Sequence, residues 1–202
     1  MSGRKVQQGA SSLGSVGAVV LAAGGSSRMG RPKAFLTFQG KTLLQVHLEA
    51  FAARDLELVV VGGAEWERLL PICRPMGAKV VRNLNWASTH PIDSLRLALQ
   101  GVEWSACLVT PVDCPPVSSS DLQALLDAPS PSVLSHDHLP GHPVCLGRRE
   151  IERLCGSDSR VEHLRSLLNE AVLVSSERAE VLLNFNRPAD WKKWVGGDVS
   201  SG

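Results

Sequence analysis

Leu21-Ala-Ala-Gly-Gly-Ser-Ser-Arg-Met-Gly-Arg-Pro-Lys33 continues directly from the apolar run Ala18-Val-Val-Leu-Ala22. A short, unbroken apolar run predicts a central parallel strand covered on both faces. The Gly/Ser-rich stretch after it predicts a loop at the carboxyl end of that strand. Glycines let backbone N–H groups turn toward an anion, and Arg28 and Lys33 bring the positive charge that a polyphosphate requires. The spacing is not that of a Walker A loop, because Gly25 leads to Gly30 but Arg31-Pro32 follow where Lys and Ser/Thr are needed. It does not fit G-x-G-x-x-G either. Pro32 disfavours a helix starting directly at the loop, so the stretch reads as a long phosphate loop with its cations at the far end, suited to wrapping a triphosphate.

On both sides of this loop, short apolar runs alternate with amphipathic segments, the pattern of an α/β layered fold. Thr42-x-x-Gln45 is a capping-box start for a helix to about Ala53, with Leu44, Leu48 and Phe51 on one stripe. Buried strands are expected at Leu58–Val61 and Ala106–Thr110, a short strand at Lys79–Val81, and a later pair at Ser132–Ser135 and Pro143–Leu146. Helices are expected at Ala64–Cys73, broken near Pro71, and at Ile92–Gln100, Asp121–Asp127, Arg149–Cys155 and Val161–Leu168. A last strand should end near Leu183, and Pro188 suits the first residue of a terminal helix through Trp194. Trp191 and Trp194, three apart on that helix, read as packing residues. In open α/β sheets ligands bind beyond the carboxyl ends of the strands, near a reversal of strand order. Two polar stretches occupy such ends here: Gly24 to Lys33, and Asp113 in Thr-Pro-Val-Asp-Cys-Pro-Pro.

The chain has 202 residues, 44% hydrophobic and 20% charged, which fits one folded domain and excludes disordered, collagenous and coiled-coil classes. A flexible tail is expected over residues 1–16, a single domain over 17–196 and a second flexible tail over 197–202. The net charge is +1, without a basic block, so a nucleic-acid polymer is not an expected partner. No apolar run approaches the roughly 20 residues of a membrane helix, so no membrane partner is expected either. Cys73, Cys107, Cys114, Cys145 and Cys155 are scattered, with no C-x-x-C pair, and read as free thiols in a reducing compartment. The opening residues lack an apolar signal-peptide core. A cytoplasmic location is the expectation.

From Leu21 to Lys33, the order Leu-Ala-Ala-Gly-x-Ser-x-Arg-Met-Gly-x-x-Lys resembles the signature of nucleotidyltransferases related to molybdenum-cofactor guanylyl- and cytidylyltransferases. The resemblance runs from about Val16 to Trp194. Asp113-Cys-Pro115 is similar to the family's Asp-x-Pro metal motif. Gly141-His142-Pro143 resembles the Gly-His-Pro of the cytidylyltransferase branch, and Asn184-Phe-Asn-Arg-Pro-Ala-Asp190 stands where the family usually reads Asp-Ile-Asp-Thr-Pro-Glu-Asp. Two stretches depart from the pattern: His90-Pro-Ile-Asp-Ser94-Leu95 replaces Gly-Met-x-x-Ser-Leu, and Gly156-Ser-Asp158-Ser-Arg160 replaces Gly-Asp-x-Gly-Ala-Arg.

The resemblance implies a three-layer, Rossmann-like fold with a mostly parallel central sheet. It implies transfer of a nucleotide from an NTP to a phosphate on molybdopterin, with release of pyrophosphate, and an apo-molybdoenzyme as a possible partner. Leu21, Ala22, Ala23, Gly24, Gly25, Ser26, Arg28, Lys33 and Ser94 would bind the nucleotide. Arg28, Lys33 and Asp113 would carry the chemistry, and Asp113 with Asn186 would hold Mg²⁺. His142 and Arg160 are candidates for the acceptor side, with a turn residue and an exposed helix start as the plain alternatives. Ala-Ala-Gly, in place of Ala-Gly-Gly, points toward CTP over GTP. The physics is compatible: bringing a phosphate oxygen onto the α-phosphorus joins two anions, so catalysis is positioning and charge neutralisation, and no thiolate from Cys114 is needed. A sugar or polyol phosphate acceptor, and a silent nucleotide-binding regulator, are the alternatives the residues leave open. His47, His136, His138 and His163 are expected on the surface or on helix faces.

Overall fold

The computed structural model describes residues 15–197. The tails expected over 1–16 and 197–202 therefore fall outside the described residues except at their inner ends. There, Ser15 accepts a hydrogen bond from the Ser105 N–H (2.9 Å), Val16 opens the first strand and Gly197 ends the last helix.

The elements in chain order are β1 (Val16–Ala22), a two-stranded ribbon of β2 (Thr37–Phe38) and β3 (Lys41–Thr42), α1 (Leu43–Ala52), β4 (Glu57–Gly62), α2 (Trp66–Cys73) and β5 (Lys79–Arg82). Then come α3 (Pro91–Leu99), β6 (Ala106–Pro111), α4 (Ser119–Asp127), β7 (Ser132–His136), β8 (Leu139–Gly147), α5 (Arg148–Cys155), β9 (Val172–Ser175) and α6 (Pro188–Gly197). Seven strands form one sheet in the order β5-β4-β1-β6-β8-β7-β9. β5, β4, β1 and β6 run parallel, β8 is antiparallel to β6 and β7, and β9 is parallel to β7. The sheet is mostly parallel, as expected.

Alternation along the strands builds the three layers. Ala18 and Val20 of β1 join Leu44, Leu48 and Phe51 of α1, Leu69 of α2 and Leu122 and Leu125 of α4 on one face. Val19 joins Ile92, Leu95 and Leu99 of α3 and Ile151 and Leu154 of α5 on the other. A third apolar cluster, Met29, Leu36, Leu43, Phe185 and Trp191, ties the loop after β1 to the start of α6. The rings of Trp191 and Trp194 lie 5.4 Å apart within this packing, which accounts for both tryptophans. None of the described helices is long and apolar enough to cross a membrane.

Four expectations need correction. Pro71 does not break α2: the chain stays helical to Cys73 and the Arg74 N–H reaches the Leu70 carbonyl beyond it. Only a 3₁₀ turn, Leu164–Leu167, forms in the segment expected to be helical from Val161. The cause is a tertiary contact: the Arg96 guanidinium donates to the Val161 carbonyl at 2.8 Å, an acceptor the helix would need. The last strand ends at Ser175, and Ala179–Leu182 is a 3₁₀ turn started by the Ser176 hydroxyl accepting from the Arg178 N–H (3.1 Å). His47 is not at the surface: it lies in the core at 1% exposure.

The capping box at α1 is formed as read, with Thr42 Oγ1 accepting from the Gln45 N–H at 3.2 Å and Gln45 Oε1 accepting from the Thr42 N–H at 2.8 Å. Thr42→Ala should cost about 1 kcal/mol. Phe51→Ala, at a fully buried position, should cost about 3–5 kcal/mol. Urea unfolding midpoints of the two variants check this ranking, and equal losses would contradict it.

Candidate active site

Strand order reverses at β1: the chain leaves it for β4 and β5 on one side and returns to β6 on the other. The carboxyl ends of β1 and β6 are thus neighbours, with Leu21 opposite Pro111 and the Val112 N–H bonded to the Leu21 carbonyl at 3.0 Å. Everything polar that follows β1 and β6 is delivered to this crevice.

The loop after β1 is bent back on itself. Ser26 adopts a left-handed conformation (φ 51°), its hydroxyl accepts from the Lys33 N–H at 3.1 Å, and Met29 is anchored in the third apolar cluster. These contacts return Lys33 to the crevice. Gly24 faces open space, whereas a Cβ on Gly25 would stand 2.7 Å from the Trp86 ring. Across the crevice a Cβ on Gly63 would come within 2.1 Å of the Ala23 carbonyl oxygen. Glycine at 63 is what lets the loops after β1 and β4 touch.

Three segments far apart in the chain meet at one nitrogen. Lys33 Nζ donates to Asp113 Oδ2 at 2.6 Å and to Asn186 Oδ1 at 3.2 Å. Both charged side chains are largely withdrawn from water, 14% and 21% exposed, so their attraction is weakly screened. Asn186 is delivered by the turn into α6, where Asp190 Oδ2 accepts from the Asn186 and Arg187 N–H groups at 3.0 and 2.8 Å. Phe185 plants that turn in the core, and its N–H donates to the Asp113 carbonyl at 2.7 Å.

Beside this junction is a cavity of about 320 Å³. Its walls include Leu21, Ala22, Ala23, Gly24, Ser26, Lys33, Ser94 and Asp113, eight of the residues singled out in the sequence. Gly25 and Arg28 do not line it. Arg28 is exposed on the 3₁₀ turn Ser27–Met29, its side chain without an ion pair or hydrogen bond among the described residues. His142 is half-buried, near enough to Asp113 to feel its charge, yet desolvation dominates and pushes the imidazole pKa down, and its Nδ1 has no partner among the described residues. Arg160 lines a separate groove with Arg96 and His163, which meets the cavity at His90. Cys114 is buried, its thiol pushed well up by desolvation, and its Sγ donates to Asn184 Oδ1 at 3.1 Å. That is the setting of a packing thiol, not of a nucleophile.

Sequence reasoning missed Asn83 and Trp86. Asn83 is buried at the end of β5; its amide donates to Thr89 Oγ1 at 2.9 Å and Ser94 Oγ at 3.0 Å, and its Oδ1 accepts from the Asn85 N–H at 2.9 Å. It therefore shapes the loop that walls the cavity and orients Ser94. An Asn directly after a strand, two residues before another polar one, is an Asx-turn signal that could have marked it. Trp86 forms the wall over Gly25 and Gly63; no short-range pattern marks it.

The chain resembles known proteins along most of its length. A probable molybdenum cofactor guanylyltransferase of Rhodopirellula baltica is 32% identical over 85% of this chain and 88% of its own length. A molybdenum cofactor cytidylyltransferase of Escherichia coli is 22% identical over 89% and 95%. Among solved structures, a nucleotidyl transferase from Methanothermobacter thermautotroptrophicus has the same fold, with a TM-score of 0.75 at 23% identity, covering 93% of this chain and 99% of that one. Residues 18–180 match the family described as the MobA-like NTP transferase domain, which includes β1, its loop and Asp113. The chain belongs to that family.

Proposed function

We propose that this protein is an enzyme that transfers a nucleotide from a nucleoside triphosphate to the phosphate of a molybdopterin-type cofactor, releasing pyrophosphate. The observation that carries the reading is the Lys33 ammonium held between Asp113 and Asn186 at the mouth of the crevice. Family membership and the activities named for the relatives support it. In the reaction, an oxygen of the acceptor phosphate attacks the α-phosphorus; the new P–O bond forms as the bond to the β-phosphate bridging oxygen breaks, and pyrophosphate leaves with that oxygen.

What the protein must do is set two anions in line and offset their charge. The backbone of Ala23 and Gly24 and the Ser26 hydroxyl border the space for the triphosphate. Lys33 is placed to exchange its carboxylate partner for phosphate oxygens once the nucleotide enters. Arg28, exposed on the same loop, is a guanidinium that could close over the β- and γ-phosphates.

A divalent ion fits the donor set. Asp113 and Asn186 present a carboxylate and an amide oxygen that already share one cation, the Lys33 ammonium. Mg²⁺ takes hard oxygen ligands, typically one or two carboxylates completed by phosphate oxygens and water. Asp113 and Asn186 would hold it, and the bound ion supplies neutralisation of the triphosphate and of the leaving pyrophosphate. For the base we take CTP as the first reading, from the Ala22-Ala23-Gly24 main chain. GTP is the second, favoured by the guanylyltransferase relative at 32% identity.

Lys33→Ala should lower kcat by about 10²–10³-fold, while the thermal midpoint moves by no more than about 4 °C. Full turnover at saturating NTP would remove Lys33 from the mechanism. The donor is named by thermal scans with each NTP, with and without Mg²⁺. A hundredfold excess over Kd adds about 2.7 kcal/mol to native stability, so CTP with Mg²⁺ should give the largest rise; a larger rise with GTP selects the second reading, and none with any NTP contradicts the donor site.

A further inference from the structure

The loop that carries Asp113 lies outside any helix or strand, yet the peptide groups on both sides of the carboxylate are hydrogen-bonded. The Val112 N–H bonds the Leu21 carbonyl at 3.0 Å, the Asp113 carbonyl takes the Phe185 N–H at 2.7 Å, and the Cys114 N–H reaches the Pro111 carbonyl at 3.4 Å. The remaining tie comes from a helix. His47, in the middle of α1, places Nε2 3.0 Å from the Cys114 carbonyl oxygen.

We infer that His47 is a positioning residue for the proposed NTP and metal site: its buried imidazole holds the Cys114 carbonyl, the peptide group next after Asp113, and so fixes where that carboxylate meets the divalent ion. The inference rests on the reading of the function given above. A carbonyl oxygen can only accept, so Nε2 carries the ring hydrogen and Nδ1 is left as a lone pair, and Nδ1 has no partner among the described residues. Burial holds the imidazole neutral, its pKa lowered to about 4. The clamp therefore adds no positive charge beside a carboxylate whose task is to attract a cation. On packing alone a leucine would serve as well at this position, between Leu44, Leu48 and Phe51; what it could not supply is the N–H to the loop. Support of this kind behind a metal-holding carboxylate is typically worth 10–100-fold in metal affinity.

The test uses the full chain with Mn²⁺ as the probe, its binding followed by water-proton relaxation enhancement in saturating CTP and, separately, in saturating GTP. His47→Leu should weaken binding of the Mn²⁺–nucleotide complex by about 10–100-fold. His47→Gln, whose amide N–H falls near the Nε2 position, should stay within about threefold, with thermal midpoints of both close to the parent. Parental binding by His47→Leu overturns the inference, and so does an equal loss in the Leu and Gln variants. Should the Leu variant fail to fold, the Gln and Asn variants decide: Asn, too short to reach Cys114, should lose binding where Gln keeps it, and equal binding overturns the inference. Asp113→Ala separates the two claims. Loss of Mn²⁺ binding there, with none in His47→Leu, sinks only the clamp; unchanged binding in Asp113→Ala sinks the donor site and the clamp with it.

Discussion

One ammonium group organises this crevice. Lys33 Nζ lies within hydrogen-bonding reach of oxygens from Asp113 and Asn186, residues 80 and 153 positions further along the chain. Bringing these segments together takes the whole architecture: the bend after β1 returns Lys33, the switch in strand order puts Asp113 beside it, and the turn into α6 supplies Asn186. An isolated pair of this kind would contribute little to stability after its desolvation cost. Under the proposed function its significance is as a charge-balanced resting arrangement, in which the lysine would stand in for the cation and be released when phosphates arrive with their own.

The frame around the junction is stiffer than the junction itself. β1 and β6 are hydrogen-bonded side by side, Phe185 and Met29 share one apolar cluster, and His47 reaches out from α1 to the Asp113 loop. By contrast Gly24 and Arg28 are exposed, and a Cβ on Gly24 would meet nothing within 4 Å. The division suits a reaction that needs fixed anchors for charge and a movable rim to admit a triphosphate.

Local signals in the sequence carried much of the fold. The apolar run Ala18–Ala22 is a central strand, Thr42 and Gln45 form their capping box, and Asp113 follows β6 directly. That the Lys33 loop and Asp113 share the carboxyl ends of parallel strands was legible from the element order, whereas Asn186 was legible only through resemblance, because contacts so distant in sequence leave no periodic trace. His47 was left open between the surface and a helix face, although it follows Leu44 by three residues and precedes Phe51 by four, and that spacing alone places it on the buried stripe of α1. The helix expected from Val161 failed for the opposite reason: its apolar pattern was sound, but the Arg96 side chain, 65 residues away, claimed a carbonyl that the helix needed. Arg160 and His142 were both placed near the site, yet the cavity's own wall includes neither, which leaves the acceptor side the least legible part of the chain.

A crystal structure of the protein with Mn²⁺ and its preferred NTP, with the ion located by anomalous scattering, tests the central claim most directly. The account predicts Mn²⁺ on the Asp113 carboxylate and Lys33 Nζ moved from Asp113 onto phosphate oxygens. An intact Lys33–Asp113 pair, with metal and triphosphate bound elsewhere, would contradict it.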